Sequence, residues 1–170
     1  MTALHRIAAG YRRLLHAFGV VAAVATFAMM ALVVANAGSR YLLNAPVPGA
    51  FEIVQSLLTV MVFLSLALTQ ARGGHIRVTL LTRRLTPAGA RLASVAAFAL
   101  GAGFFAWCAL GAWGFAWQSF QVNEQEWGVI RYPLWPVKFV VFAGLVLLSL
   151  QFLLDALASA TARPSSEVSR

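Results

Sequence analysis

The sequence predicts an all-α membrane protein: four spanning helices, plus a short amphipathic helix lying at the interface between the second and third spans. Three observations predict it. Of 170 residues, 61% are hydrophobic and only 11% are charged. A soluble domain carries about 25% charged residues, so this chain lacks the side chains to solvate a surface. The apolar residues also fall in long blocks, each matching the roughly 20 helical residues that cross a hydrocarbon core about 30 Å thick. Finally, the basic residues gather at the block ends. The formal net charge of +8 therefore reports topology and contact with lipid headgroups, and not a nucleic-acid surface.

The first span is read at residues 14–37, behind Arg6, Arg12 and Arg13. Ala35-Asn36-Ala37 resembles a signal-peptide cleavage site, but a signal core is only about 7–15 residues long and this block is longer. The second span is read at 50–71. Pro48-Gly49 precedes it, and Arg72-Gly73-Gly74 ends it. The third is read at 90–117, where Thr86 suits an N-cap and Pro87 the first helical position. Its helical pattern continues to about Gln121, which requires tilt or protrusion. The fourth is read at 134–158. Residues 1–160 form a single membrane domain on this reading. Residues 161–170, with Pro164-Ser165-Ser166, form a disordered tail.

Residues 75–86 are too short and too basic to span. Their apolar side chains cover a broad helical arc interrupted by Arg77 and Arg84, which suits a helix lying on the membrane. His75, Arg77, Arg83 and Arg84 are the expected lipid contacts, and a plain basic loop is the alternative. Orientation follows from Lys and Arg placement. Ten lie in the N-terminal tail, the second connection and the C-terminal tail, against Arg40, Arg131 and Lys138 on the other side. Both termini are therefore expected in the cytoplasm.

Chemistry in a spanning protein is read from the polar groups held in hydrocarbon. Glu52 lies about one turn inside the second span and Asp155 near the inner end of the fourth, both away from the midplane. His5, His16 and His75 lie near membrane edges, so no facing pair can ligate a haem within the bundle. Cys108 is the only cysteine, which excludes a disulfide framework and a cysteine metal site within the chain. No metalloprotease, nucleophile-elbow or phosphate-loop motif is present. No enzyme and no cofactor is predicted. Ala97 and Gly101, at i and i+4, read as a close helix-packing face. Arg40 and Glu52, at the ends of consecutive spans, are expected to pair, because an unpaired carboxylate there would be partly desolvated. Glu124 and Glu126 suit charge-steered docking of a soluble partner.

Three stretches, in order around four spans, resemble the small membrane subunit of tripartite ATP-independent periplasmic (TRAP) transporters. They are Arg40-Tyr41-Leu42 followed by Pro48-Gly49 and Glu52; Arg72-Gly73-Gly74-His75-Ile76-Arg77-Val78; and Pro133-Leu134-Trp135-Pro136. Thr79 departs from the pattern, standing where this family often has an acidic residue. The resemblance implies a multi-pass protein of the bacterial inner membrane. It implies a large membrane subunit that moves a small organic acid with sodium, and a periplasmic binding protein that delivers the substrate. The small subunit would extend the scaffold of the large one. Two other readings stand beside it. A self-contained four-helix exporter would need Glu52 for proton coupling, and a membrane anchor of a redox enzyme would bind haem.

The charge count makes a direct prediction. In a Cys108→Ser background, single cysteines at positions 44 and 125 should react with impermeant reagents from the periplasmic side only. Labelling of position 125 from the cytoplasmic side alone would reverse the topology.

Overall fold

The computed structural model describes residues 2–72 and 86–161. They form α1 (Thr2–Leu43), α2 (Ala50–Ala71), α3 (Pro87–Gln121) and α4 (Trp135–Thr161). All four are long and apolar enough to cross a membrane. Among the described residues there is no strand, only an isolated bridge between Gln125 and Pro133 in the α3–α4 connection. The interfacial helix expected at 75–86, with His75, Arg77, Arg83 and Arg84, lies outside the described residues apart from Thr86, as does the tail beyond residue 161.

The helices outrun the predicted spans. With 42 residues in α1 and 35 in α3, they are about 63 and 53 Å long at 1.5 Å per residue. Both project beyond a hydrocarbon core of about 30 Å. Apolar content marks the part that fits in lipid, while backbone hydrogen bonding continues through polar flanks such as Arg12, Arg13, Gln118 and Gln121.

Local chemistry fixes the ends. Two asparagines adopt left-handed backbone angles, Asn44 (φ 52°) just after α1 and Asn123 (φ 45°) just after α3. Asparagine tolerates that region because its short amide bonds locally. After α3, the Glu124 N–H reaches Ser119 O at 2.9 Å and the Asn123 N–H reaches Phe120 O at 3.2 Å. These paired bonds recover carbonyls that the last turn leaves open. Thr86 caps α3, accepting from the Gly89 N–H at 3.3 Å, with Pro87 in the first turn. Gly49 has φ 75°, which glycine adopts without a Cβ penalty, and any Cβ there would collide with Ile130.

The four helices form a row and not a closed bundle. α1 packs on α2, α2 on α4 and α4 on α3, while α1 and α3 do not touch. The row is bent at α2, where Leu15, Ala67 and Leu148 are buried together from three helices. Tyr11 Oη donates to Leu147 O at 3.0 Å across the same corner. Lipid tails are as apolar as leucine, so burying leucine gains little here and close backbone approach matters more. Gly144 supplies it: a Cβ there would strike the carbonyl of Phe63 on α2. Between α3 and α4, the Phe105 and Phe152 rings stack at 5.4 Å, and Ser149 Oγ donates to Ala102 O at 2.9 Å.

Gly144→Leu should separate α2 from α4. Overpacking of this kind costs about 1–3 kcal/mol, which should lower the thermal midpoint in mild detergent by roughly 3–10 °C. Gly103→Leu, where a Cβ meets nothing within 4 Å, should leave it unchanged. Equal midpoints for the two variants would contradict the assigned α2–α4 contact.

Candidate functional site

The sequence-predicted polar residues settle at the two ends of the row. At the end carrying the connections 44–49 and 122–134, the α3–α4 connection folds back on itself. The Glu126 N–H donates to Tyr132 O at 3.0 Å and the Leu134 N–H to Glu124 O at 3.0 Å. Lys138 on α4 forms an ion pair and hydrogen bond with Glu124 Oε2. That hydrogen bond holds the Glu124 carboxyl below its usual range. Glu124 thus latches the connection to the helix that follows it. Glu126 is half-buried.

The folded connection is then clamped onto α2. Glu52 Oε1 accepts from the Val129 N–H at 2.8 Å. Tyr132 Oη donates to Glu52 O at 2.8 Å and lies 2.7 Å from Ser56 Oγ. A Cβ on Gly128 would collide with the Glu52 carboxylate, so glycine is what admits the loop. The expected Arg40–Glu52 pair is therefore corrected. Among the described residues the one ion pair is Lys138–Glu124. Arg40 is exposed, and lines a shallow recess with Asn36, Tyr41 and Asn44. The physical reason is reach. Glu52 sits on the face of α2 that meets the α3–α4 connection, and a backbone N–H there already satisfies its oxygen.

An aromatic ladder sits beneath the clamp. Trp113 and Trp117 stack at 5.7 Å, and Phe120 meets Trp135 edge-on at 5.3 Å. Trp127, at the tip of the connection, is 93% exposed. Of the expected packing pair, Gly101 lies against Phe152, where a Cβ would come within 2.9 Å. Ala97 is exposed. The α3–α4 contact runs past both positions, with Phe98 against Phe152 and Arg91 Nε donating to Ser159 O at 3.2 Å, so what separates the two is the face of α3 that each occupies.

At the opposite end, Asp155 is bound by two amides that sequence reasoning did not single out. Gln70 Nε2 donates to Oδ2 at 2.7 Å, and Gln151 Nε2 to Oδ1 at 3.0 Å. Both glutamines are buried, at 5% and 8% exposure. Gln151 and Asp155 stand four apart, a helical neighbour pair that the sequence did display. Gln70 lies 85 residues from Asp155, and nothing local signals it. Among the described residues no group of three or more His, Cys, Asp or Glu is placed to hold a metal ion.

The clamp can be read as coupling energies. A cycle of Ser56→Ala and Tyr132→Phe should give an interaction energy of about 0.5–3 kcal/mol, and a cycle of Arg40→Ala and Glu52→Gln a value near zero. Thermal unfolding in detergent would measure both. The reverse order would restore the Arg40 pairing.

These geometries describe a chain whose polar groups join helices to one another. The family model for tripartite ATP-independent periplasmic transporters, DctQ component, matches residues 29–162. Among curated proteins, none matches. The family match takes in the later part of α1, both connections at the clamped end and the whole of α2, α3 and α4. The chain accordingly belongs to the DctQ family, the small membrane component of TRAP transporters.

Proposed function

We propose that this chain is a scaffold subunit. On this reading it packs against the large membrane subunit and holds that subunit's stationary part in place. The large subunit carries a small organic acid inward with sodium, and a periplasmic binding protein delivers the substrate. The membrane is the bacterial inner membrane, with both termini in the cytoplasm.

The observation that supports this best is how the chain uses its carboxylates. Glu52 joins α2 to the α3–α4 connection, Glu124 joins that connection to α4, and Asp155 joins α4 to α2. Each is engaged in holding two parts of the chain together. A self-contained exporter would need Glu52 released to exchange protons, which the bond from the Val129 N–H opposes. A carboxylate substrate also needs cations or helix N-termini on its path. Here the described cations Arg12, Arg13, Arg40, Arg72, Arg91, Arg131 and Lys138 stand at the helix ends and in the connections.

Docking of the binding protein is assigned to the tip of the α3–α4 connection. Glu124 is latched to Lys138, so charge steering falls chiefly on Glu126, beside the exposed Trp127.

Uptake in proteoliposomes with all three components tests the reading. Omission of this subunit should abolish uptake. Glu126→Lys should lower the rate at limiting binding protein and leave substrate preference unchanged. Normal uptake by the large subunit alone, or a change of preference from substitutions in these helices, would overturn it.

A further inference from the structure

α1 stands at one end of the row, and its last turns carry a recess of about 560 Å³ lined by Val33, Asn36, Ala37, Arg40, Tyr41 and Asn44. The chain forms one side of it by folding the 44–49 connection back onto the helix. Asn36 Oδ1 accepts from the Val47 N–H at 2.9 Å, and Ser39 Oγ donates to Ala45 O. Asn44 stands at the turn with φ 52°. With its oxygen engaged by Val47, Asn36 has the two Nδ2 donors left for the recess. Arg40 adds five N–H donors and a permanent positive charge, and Tyr41 and Asn44 add a hydroxyl and an amide. Among the described residues, the side chains of Arg40, Tyr41 and Asn44 form no hydrogen bond or ion pair. No carboxylate lines the recess.

The depth of the recess in the membrane decides what those donors meet. Tyr41, Leu42 and Leu43 follow Arg40 and are 88%, 78% and 73% exposed. Leucines left open on a last turn suit hydrocarbon and not water, so lipid reaches past Arg40. Below the arginine, Val33, Met30 and Phe27 continue down α1 in steps of three residues, all exposed. From Arg40 to Met30 is about 15 Å at 1.5 Å per residue, half of a hydrocarbon core and so the depth of one leaflet. A charge left in hydrocarbon is costly, and an arginine so placed extends its head to the nearest headgroup. The other described cations stand differently. Lys138 is paired with Glu124, and Arg91 Nε donates to Ser159 O at 3.2 Å. Arg12 and Arg13 precede the apolar run of α1, Arg72 follows that of α2, and Arg131 lies in the α3–α4 connection. Of these cations, Arg40 is the one inside a helix with exposed apolar residues on both sides of it.

We propose that this recess binds the phosphate of one anionic phospholipid, with Arg40 pairing the charge and Asn36, Tyr41 and Asn44 as neutral donors. One acyl chain then lies along Ala37, Val33 and Met30. The planar guanidinium fork matches two phosphate oxygens at once. A zwitterionic headgroup would bring an ammonium that finds no carboxylate here, so a headgroup of net negative charge, such as that of phosphatidylglycerol, is the better fit. The site goes beyond the scaffold reading and does not depend on it.

Native mass spectrometry of the full chain, released from detergent after incubation with phosphatidylglycerol, tests the site. The native chain should carry one bound lipid, and should carry phosphatidylethanolamine less. Arg40→Gln should lower the bound fraction about fivefold, the worth of one basic residue at an anionic surface. Asn44→Asp sets a negative charge in the recess at a backbone angle that aspartate also tolerates, and should lower it too. Arg131→Gln, which removes an exposed arginine at the same end but outside the recess, should leave it unchanged. Helix content by circular dichroism should be retained in all three, and if Arg40→Gln loses it, Asn44→Asp decides. Inorganic phosphate in large excess should not displace the lipid. Undiminished binding in the recess variants, an equal loss from Arg131→Gln, or equal binding of phosphatidylethanolamine would overturn the proposal. Displacement by phosphate would make the recess a site for a free anion and overturn it as well. So would an Arg40→Gln chain that keeps its lipid and loses the large subunit, which would give the recess to a partner carboxylate.

Discussion

The α2–α4 contact, with the α3–α4 connection clamped across its end by the bond from the Val129 N–H to Glu52 Oε1, is what the arrangement of this row depends on most. α3 packs only on α4, and α1 packs along α2 and reaches α4 only at the corner of Tyr11, Leu15 and Leu148. The two pairs are therefore joined through the α2–α4 contact and the connection that crosses its end. A loop of this kind has backbone groups that water would otherwise satisfy. At a membrane boundary those groups are better met from within the protein. Glu52 meets one, Tyr132 returns two bonds to α2, and Glu124 with Lys138 ties the base of the loop to α4. The glycines at 49 and 128 leave the space that these contacts need.

The same logic appears at the opposite end with different groups. Asp155 on α4 is held by an amide from its own helix and another from α2. Between the two ends, Gly144 lets the α2 and α4 backbones approach. Polar pins at both ends and a close contact in the middle give a plate that resists shear between the helix pairs. On the proposed scaffold reading, such stiffness suits a part that stays still while a neighbouring subunit moves. It also accords with the engagement of Glu52, Glu124 and Asp155 in structure.

Much of the fold was legible in the sequence because membranes impose simple rules. Block length gave the four spans, and Thr86-Pro87 and Pro48-Gly49 marked two helix starts. Asn44 and Asn123 were legible in principle as left-handed stops, and Gln151 with Asp155 as a helical pair. The tertiary pairings were not. Glu52 was matched with Arg40 because the two lie at either side of a short connection. Its partner is in fact a backbone N–H 77 residues away, and a backbone donor leaves no mark in a sequence. Ala97 and Gly101 looked equivalent by spacing, yet Gly101 lies against Phe152 while Ala97 is exposed, since the face that a helix buries depends on where its neighbour stands. Glu124 reads as a surface charge until Lys138 is brought beside it by the fold of the loop.

Amide hydrogen exchange across residues 122–134, followed by mass spectrometry in detergent or nanodiscs, tests the central claim most directly. With the clamp formed, the Val129 amide should exchange slowly although the residue itself is 75% exposed. Glu52→Ala should release that protection, while the amides of α3 before Gln118 keep theirs. Rapid exchange at Val129 in the native protein, or protection that persists in Glu52→Ala, would contradict the claim that this bond clamps the connection onto α2.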